Sequence, residues 1–273
     1  MFADRLADVI ETRARRPELV AEAAARRPRA SSFLGPAGTM VLIAADHPAR
    51  GTLRAGRQMT AMADRTSLLE RLCVALARPG VDGVLGSADV LEDLLLLGAL
   101  EGKIVIGSMN RGGLAETVFE VDDRFTGYDA AAIARMGFDG GKMLLRIDPD
   151  DPATADTMQA CAQAVSDLAG RKLMAMVEPF IAHRVDGRVR NDLSPEAMIL
   201  ALTIASGDRS LLTRPSTRWV MNGSTMAMSL RPARSDTARA HASNVAAVAG
   251  SSGSIRSSIL PPSKPIRVIA AAS

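Results

Sequence analysis

Short apolar runs alternate with amphipathic stretches along most of the chain, and the runs are continuous rather than alternating. The strand-like runs are 39–46 (TMVLIAAD), 81–87 (VDGVLGS), 103–110 (KIVIGSMN), 142–148 (KMLLRID) and 172–180 (KLMAMVEPF). Unbroken runs of this length are what parallel strands covered on both faces require. Helical patterns fill the intervals at 59–78, 87–102, 128–137 and 151–170. Ser87 is placed to cap the second of these helices and Gly102 to stop it. A further helix is expected over 194–207, with Ser194 as cap, Pro195 at its first position and Glu196 in its first turn. Two short helices, 4–14 and 17–26, precede the first strand and end in a Gly/Pro break, LGPAG.

Five βα units in a row specify an α/β fold with a parallel sheet. A doubly wound sheet and a (β/α)8 TIM barrel then compete. No G-x-G-x-x-G follows the first strand and no P-loop occurs, which weakens a nucleotide-binding doubly wound sheet. Polar residues instead recur at the C-terminal ends of the strands: Asp46-His47, Ser108, Asn110-Arg111, Arg146, Asp148 and Glu178. Barrel enzymes collect their chemistry from several strand ends in this way. Units of about 30 residues predict a sixth strand soon after residue 207. The stretch 208–236 has no clean apolar run, and only NVAAVAG (244–250) and IRVIAAAS (266–273) could be later strands. The expectation is therefore an incomplete barrel: N-terminal helices over 1–38, barrel units over 39–207, and an irregular tail over 208–273.

Charge sharpens that boundary. Residues 1–207 carry 24 basic and 28 acidic side chains, whereas 208–273 carry 9 and 2, together with 13 serines. A Ser/Arg/Ala/Pro bias is what a GC-rich gene yields when read out of register. The tail is thus either frameshifted relative to an intact ancestor or a disordered extension of a five-stranded sheet; DNA sequence across codons 200–220 decides between them. Its basic residues form no Lys/Arg run, and aromatics make up 3% of the chain, so neither nucleic acid nor a membrane is the expected partner. No apolar run approaches the ~20 residues of a membrane span. The mixed acids and arginines of the N-terminus exclude a signal peptide. Cys73 and Cys161 stand alone in helical patterns, as small apolar residues of a reducing cytoplasm do. The three histidines, His47, His183 and His241, have no metal-ligand spacing, so no metal is expected.

Two cations inside a core-like strand are the most informative chemistry. With a period of two, Lys142, Leu144 and Arg146 share one face of the fourth strand, and Met143, Leu145 and Ile147 the other. The apolar set suits helix cover, so Lys142 and Arg146 point into the barrel. A lysine there is either paired or gives up its proton, as a Schiff-base or proton-transfer lysine must. The bland alternative is a lysine that snorkels to the barrel's bottom. Glu178, at the end of the fifth strand, could neutralise Lys142 and act as general acid or base, or be a structural ion pair. Asp46 could orient a substrate hydroxyl, pair with the lysine, or merely cap a turn. His47 and Arg50 follow it on the next loop. Asn110 and Arg111 precede Gly112-Gly113, a loop able to hold an oxyanion, and His183, Arg184, Arg188 and Arg190 read as a basic loop after the fifth strand.

The segments VLIAADHPARG, DGVLGSADVLEDL, IVIGSMNRGGL, GGKMLLRIDPDD, MAMVEPF and VDGRVRNDLSPEA together resemble an actinobacterial aldolase-like (β/α)8 family. That family is deoxyribose-phosphate aldolase-like and inositol-catabolism-associated; the likeness runs over about residues 30–207. More distantly, the chain resembles class I tagatose- and fructose-bisphosphate aldolases. The resemblance implies a cytoplasmic lyase of carbohydrate catabolism that cleaves or forms a C–C bond in a sugar phosphate through a lysine Schiff base. It implies no cofactor, since the iminium is the electron sink, and a homo-oligomer. It assigns catalysis to Asp46, Lys142 and Glu178, and substrate contacts to His47, Arg50, Asn110, Arg111 and Arg146. The wider class places its Schiff-base lysine on the sixth strand, whereas the one lysine of this chain's tail is Lys264. A sugar-phosphate-binding barrel without catalysis, and a sugar-phosphate isomerase or epimerase, are the rival readings.

Overall fold

The computed structural model describes residues 2–33, 40–110, 125–148, 150–185, 188–192, 226–229, 245–249 and 267–269. Two N-terminal helices, α1 (Phe2–Arg15) and α2 (Glu18–Arg26), lead into the alternation. It runs β1 (Val41–Ala45), α3 (Arg65–Leu76), β2 (Gly83–Gly86), α4 (Ala88–Leu96), β3 (Ile104–Ser108), α5 (Ala130–Arg135), β4 (Gly140–Ile147), α6 (Ala153–Gly170) and β5 (Met174–Val185).

Strands β1 to β5 are parallel and stand side by side in chain order. A doubly wound sheet reverses direction at a switch point. Here every crossover steps the same way, and right-handed crossovers then put all the helices on one face. The core shows it. Ile43, Ala45, Val84, Val105, Met143, Leu145, Ile147, Ala175 and Val177 join Leu69, Leu72, Leu91, Leu94, Ile133 and Leu168 of the helices in one cluster. Leu42, Ala44, Leu85, Ile104, Ile106, Leu144 and Met176 are equally buried but lie outside that cluster, on the inner face. The fold is an incomplete TIM barrel, as the sequence leads one to expect.

Two Asp-Gly steps splice the strands at their N-terminal ends. Asp82 accepts a hydrogen bond from the Val41 amide at 2.7 Å, and Asp139 accepts one from the Val105 amide at 2.9 Å. The glycine after each, Gly83 and Gly140, lies so close to a carbonyl of the next strand (Ile104 and Met174) that no Cβ fits. A belt of small residues also crosses the helix side in register: Ala45, Gly86, Gly107, Gly141, Ala175. A Cβ on Gly107 would sit 2.7 Å from Tyr128 Cδ2. Tyr128 occupies that space and meets Phe138 edge-on at 5.6 Å.

Beneath the barrel, Arg27 anchors the N-terminal helices. Its side chain is 1% exposed. The guanidinium donates to the carbonyls of Leu100 (3.2 Å), Lys103 (2.8 Å) and Gly137 (2.7 Å), beside Asp139 and over the Phe138 ring.

Several expectations need correction. Ser87 occupies the cap position of α4 but makes no cap bond, because its hydroxyl donates to Asp89 at 2.5 Å. The helix ends before Gly102. Gly98 takes the left-handed conformation (φ 72°), with Gly98 N bonded to Leu95 O and Ala99 N to Leu94 O, a Schellman stop. The basic stretch after the fifth strand is no loop: β5 continues to Val185 and pairs antiparallel with β6 (Arg188–Asp192), joining His183 to Arg190. In the tail, β7 (Met226–Ser229) pairs antiparallel with β8 (Val245–Ala249). β8, within NVAAVAG, lies parallel to β5 where a sixth barrel strand would stand. β9 (Arg267–Ile269), within IRVIAAAS, lies parallel to β1. Among the described residues no pairing joins β7 to β9. The helix expected over 194–207 lies outside the described residues. No described helix is long and apolar enough to cross a membrane.

Candidate active site

The inner face gathers charge level with the C-terminal ends of β1 and β3. Lys142 pairs in register with Met176, and Leu144 with Glu178, so Lys142 and Glu178 share a face one pleat apart. Lys142 is 2% exposed, and its Nζ is ion-paired with Glu178 Oε2. It also donates to Asp46 Oδ2 at 2.9 Å. The snorkelling alternative is thereby excluded, since the side chain turns to the carboxylates and not to water at the barrel's bottom.

The Asp46 contact measures the curl of the sheet. β1 and β4 are separated by two strands, which in a flat sheet would put them about 14 Å apart, with side chains standing perpendicular. A lysine on one cannot then touch an aspartate on the other. The sheet must wrap far enough for its inner face to look at itself.

Asp46 is 3% exposed and sits at the head of a 3-10 turn, His47–Arg50, without making a cap bond. The spacing from 46 to 50 returns Arg50 Nη2 to the same Oδ2 at 3.0 Å, and Arg50 is itself buried. His47 Nδ1 lies 3.8 Å from the other oxygen, Oδ1. Burial alone would push the Asp46 carboxyl up. The charges of Lys142, Arg50 and His47, with the Lys142 hydrogen bond, outweigh it and hold the group below the ordinary carboxylate range. Lys142 and Arg50 thus offset the two carboxylates they touch, which reduces the cost of burying all four groups.

The other expected residues divide. Asn110 is 4% exposed, and both ends of its amide are occupied: Nδ2 donates to Leu144 O at 2.6 Å, and Oδ1 accepts from Leu144 N at 2.8 Å. The amide extends the β3–β4 ladder by one step after the β3 backbone has turned away, and clamps β4 between its two inward cations. Arg146 lies on the Lys142 face, paired in register with Phe180. Arg111 lies outside the described residues. Ser108, an inner-face neighbour of Lys142 in register, completes the group. Two clefts among the described residues lie between α1, α2 and α4, away from this cluster.

A singly wound parallel β/α barrel whose strand ends converge on a buried lysine and two carboxylates is the class of protein that fold and site define. Within it, this chain belongs to the Cgl0159-like family, whose profile matches residues 38–228, past the boundary expected at 207. It is similar to the crystal structure of Cgl0159 from Corynebacterium glutamicum (Brevibacterium flavum), with 48% identity and a TM-score of 0.71, over 75% of this chain and 69% of that one. It also matches an archaeal fructose 1,6-bisphosphate aldolase at 19% identity and a TM-score of 0.45, over 69% of this chain and 66% of the other. A second archaeal fructose-1,6-bisphosphate aldolase, with its catalytic lysine bound to the carbinolamine intermediate, matches at 18% identity and a TM-score of 0.45 over the same shares. The chain thus spans about two thirds of the length of these structures. No curated protein matches it.

Proposed function

We propose that this protein is an aldolase-like lyase of carbohydrate catabolism that makes or breaks a C–C bond in a sugar phosphate through an iminium on Lys142. The deoxyribose-phosphate aldolase-like, inositol-associated type and a cytoplasmic homo-oligomer belong to this proposal. The observation that carries it is the buried Lys142 ammonium held between Asp46 and Glu178 where the strands end. Lys142 is the lysine that suits the nucleophile's part in this reading. Lys103 and Lys172 precede β3 and β5 at the opposite end of the barrel, and the strand beside β5 reads VAAVA, without a lysine. Lys264, the fourth lysine of the chain, lies outside the described residues.

Proton transfer from Nζ to Glu178 frees the amine lone pair, which attacks the substrate carbonyl. The carbinolamine loses water with Glu178 returning its proton, and the iminium withdraws the electron pair of the breaking C–C bond. Asp46 orients substrate hydroxyls, with His47 beside it. Arg146 and Arg111 supply charge for the phosphate. Asn110 serves by holding β4.

The ion pairs on Lys142 also favour a second reading, an isomerase, epimerase or binding barrel in which the lysine stays an ammonium. Borohydride added with each of a panel of sugar phosphates separates the two. A reduced adduct on the intact protein supports the lyase; turnover or binding without any adduct removes it.

A further inference from the structure

We infer that Arg50 decides which of the two carboxylates takes the proton that Lys142 releases: Asp46 stays ionised on Arg50, and Glu178 is the acceptor. This rests on the reading that Lys142 must give up its charge to react. The asymmetry lies in the partners. Asp46 Oδ2 is shared by Lys142 Nζ at 2.9 Å and Arg50 Nη2 at 3.0 Å, with His47 Nδ1 at 3.8 Å from Oδ1. Glu178 has one cation paired with it among the described residues, and that cation is Lys142. Arg146 faces the same interior from β4 at the same one-pleat offset from Glu178 as Lys142, yet among the described residues the ion pair to Glu178 is made by Lys142.

When Lys142 becomes a neutral amine, Asp46 therefore keeps a buried guanidinium against it, while Glu178 is left with no paired cation among the described residues. A largely buried carboxylate such as Glu178, whose side chain is 12% exposed, recovers neutrality by taking a proton when it loses its cation. The step balances: one proton moves from Nζ to Glu178 Oε2, leaving an amine and a carboxylic acid, and Asp46–Arg50 is unchanged. Arg50 is thus a positioning residue, acting through Asp46. It reaches that carboxylate because one 3-10 turn, closed by Gly51 at φ 72°, brings residue 50 back over residue 46.

Lys142→Met imitates the neutral amine permanently and needs no substrate. In the full chain, labelled with carboxyl-13C glutamate or aspartate, infrared spectra at pH 7 should show a protonated-carboxyl stretch that shifts with the glutamate label only. Adding Arg50→Met should bring in an aspartate-sensitive stretch. An aspartate-sensitive stretch while Arg50 is present, no protonated carboxyl in the single variant, or silence of aspartate in the double variant overturns the inference. Should either variant fail to fold, Arg50→Met and Arg50→Lys in the otherwise unchanged chain carry the test. The onset of Asp46 protonation, followed by its carboxyl 13C signal as pH is lowered, should move to higher pH in the first and largely return in the second; an unmoved onset overturns it. These readings require no substrate, so a failure to trap an adduct sinks the proposed reaction and leaves this result standing.

Discussion

Replacing Lys142 by Met has a cost that can be worked out from the charges around it, and that cost should depend on pH. Met is close to Lys in length and apolar, so the packing loss is small and the electrostatic loss dominates. Removing one member of a buried ion pair costs about 3–5 kcal/mol, because the partner is left charged and dry. Here Asp46 retains Arg50, so Glu178 is the group left exposed to that cost. Glu178 can escape by binding a proton. For an ordinary glutamic acid, protonation costs about 3.7 kcal/mol at pH 7 and about 1 kcal/mol at pH 5. The loss should therefore be about 4 kcal/mol at pH 7, or about 8–16 °C in Tm, and should shrink by about 2–3 kcal/mol at pH 5.

The unmodified chain moves the other way. The folded Asp46 carboxyl titrates below its unfolded value, so its stabilisation is complete above the unfolded value and fades as pH falls through the folded one. That loss begins only below the unfolded value, about 4, so between pH 7 and pH 5 the Asp46 contribution is constant and the change in the gap comes from Glu178. Urea melts of the two proteins at pH 7 and pH 5 measure it. A difference below about 1 kcal/mol at pH 7, or one that does not change with pH, refutes the buried-network account.

Asn110→Ala removes both bonds to the Leu144 peptide and should cost about 1–3 kcal/mol in urea melts, with amide exchange at Leu144 accelerated. Arg27→Met leaves the carbonyls of Leu100, Lys103 and Gly137 without their donor, while Asp139 keeps Arg29 at 2.9 Å. It should cost about 3–5 kcal/mol and expose α1 and α2 to proteolysis before the barrel. Gly107→Ala forces a methyl against the Tyr128 ring and should cost about 1–3 kcal/mol, read as a lower Tm, whereas Gly56→Ala, whose Cβ would meet nothing within 4 Å, should cost less despite its φ of 57°.

What could be read in the sequence was whatever repeats with a period. The run KMLLRID put Met143, Leu145 and Ile147 against helices and Lys142 and Arg146 inside, because a buried parallel strand still alternates its faces. The contact between Lys142 and Glu178 followed from neighbouring strands. The pairing of Arg50 with Asp46 was harder to see, since it depends on a 3-10 turn whose sequence, HPAR, also reads as loop. Asn110 read as a ligand because an amide at a strand end can either bind substrate or extend a ladder, and only the turn of the β3 backbone chooses. The β5–β6 hairpin had its signal in Asp186-Gly187, a pair suited to a two-residue connection, but four basic residues around it suggested a loop. The placement of β8 beside β5 was beyond a local reading: VAAVA has strand composition, yet nothing within it names its partner.

The site of covalent attachment tests the central claim most directly. A lysine alkylated by reduction resists trypsin, so an iminium trapped on Lys142 should appear as an uncut, mass-shifted peptide from Met136 to Arg146. Recovery of that peptide after borohydride and sugar phosphate, and its absence without the sugar, is the predicted result. Attachment at Lys264 or another lysine, with Lys142 cleaved normally, would contradict the account.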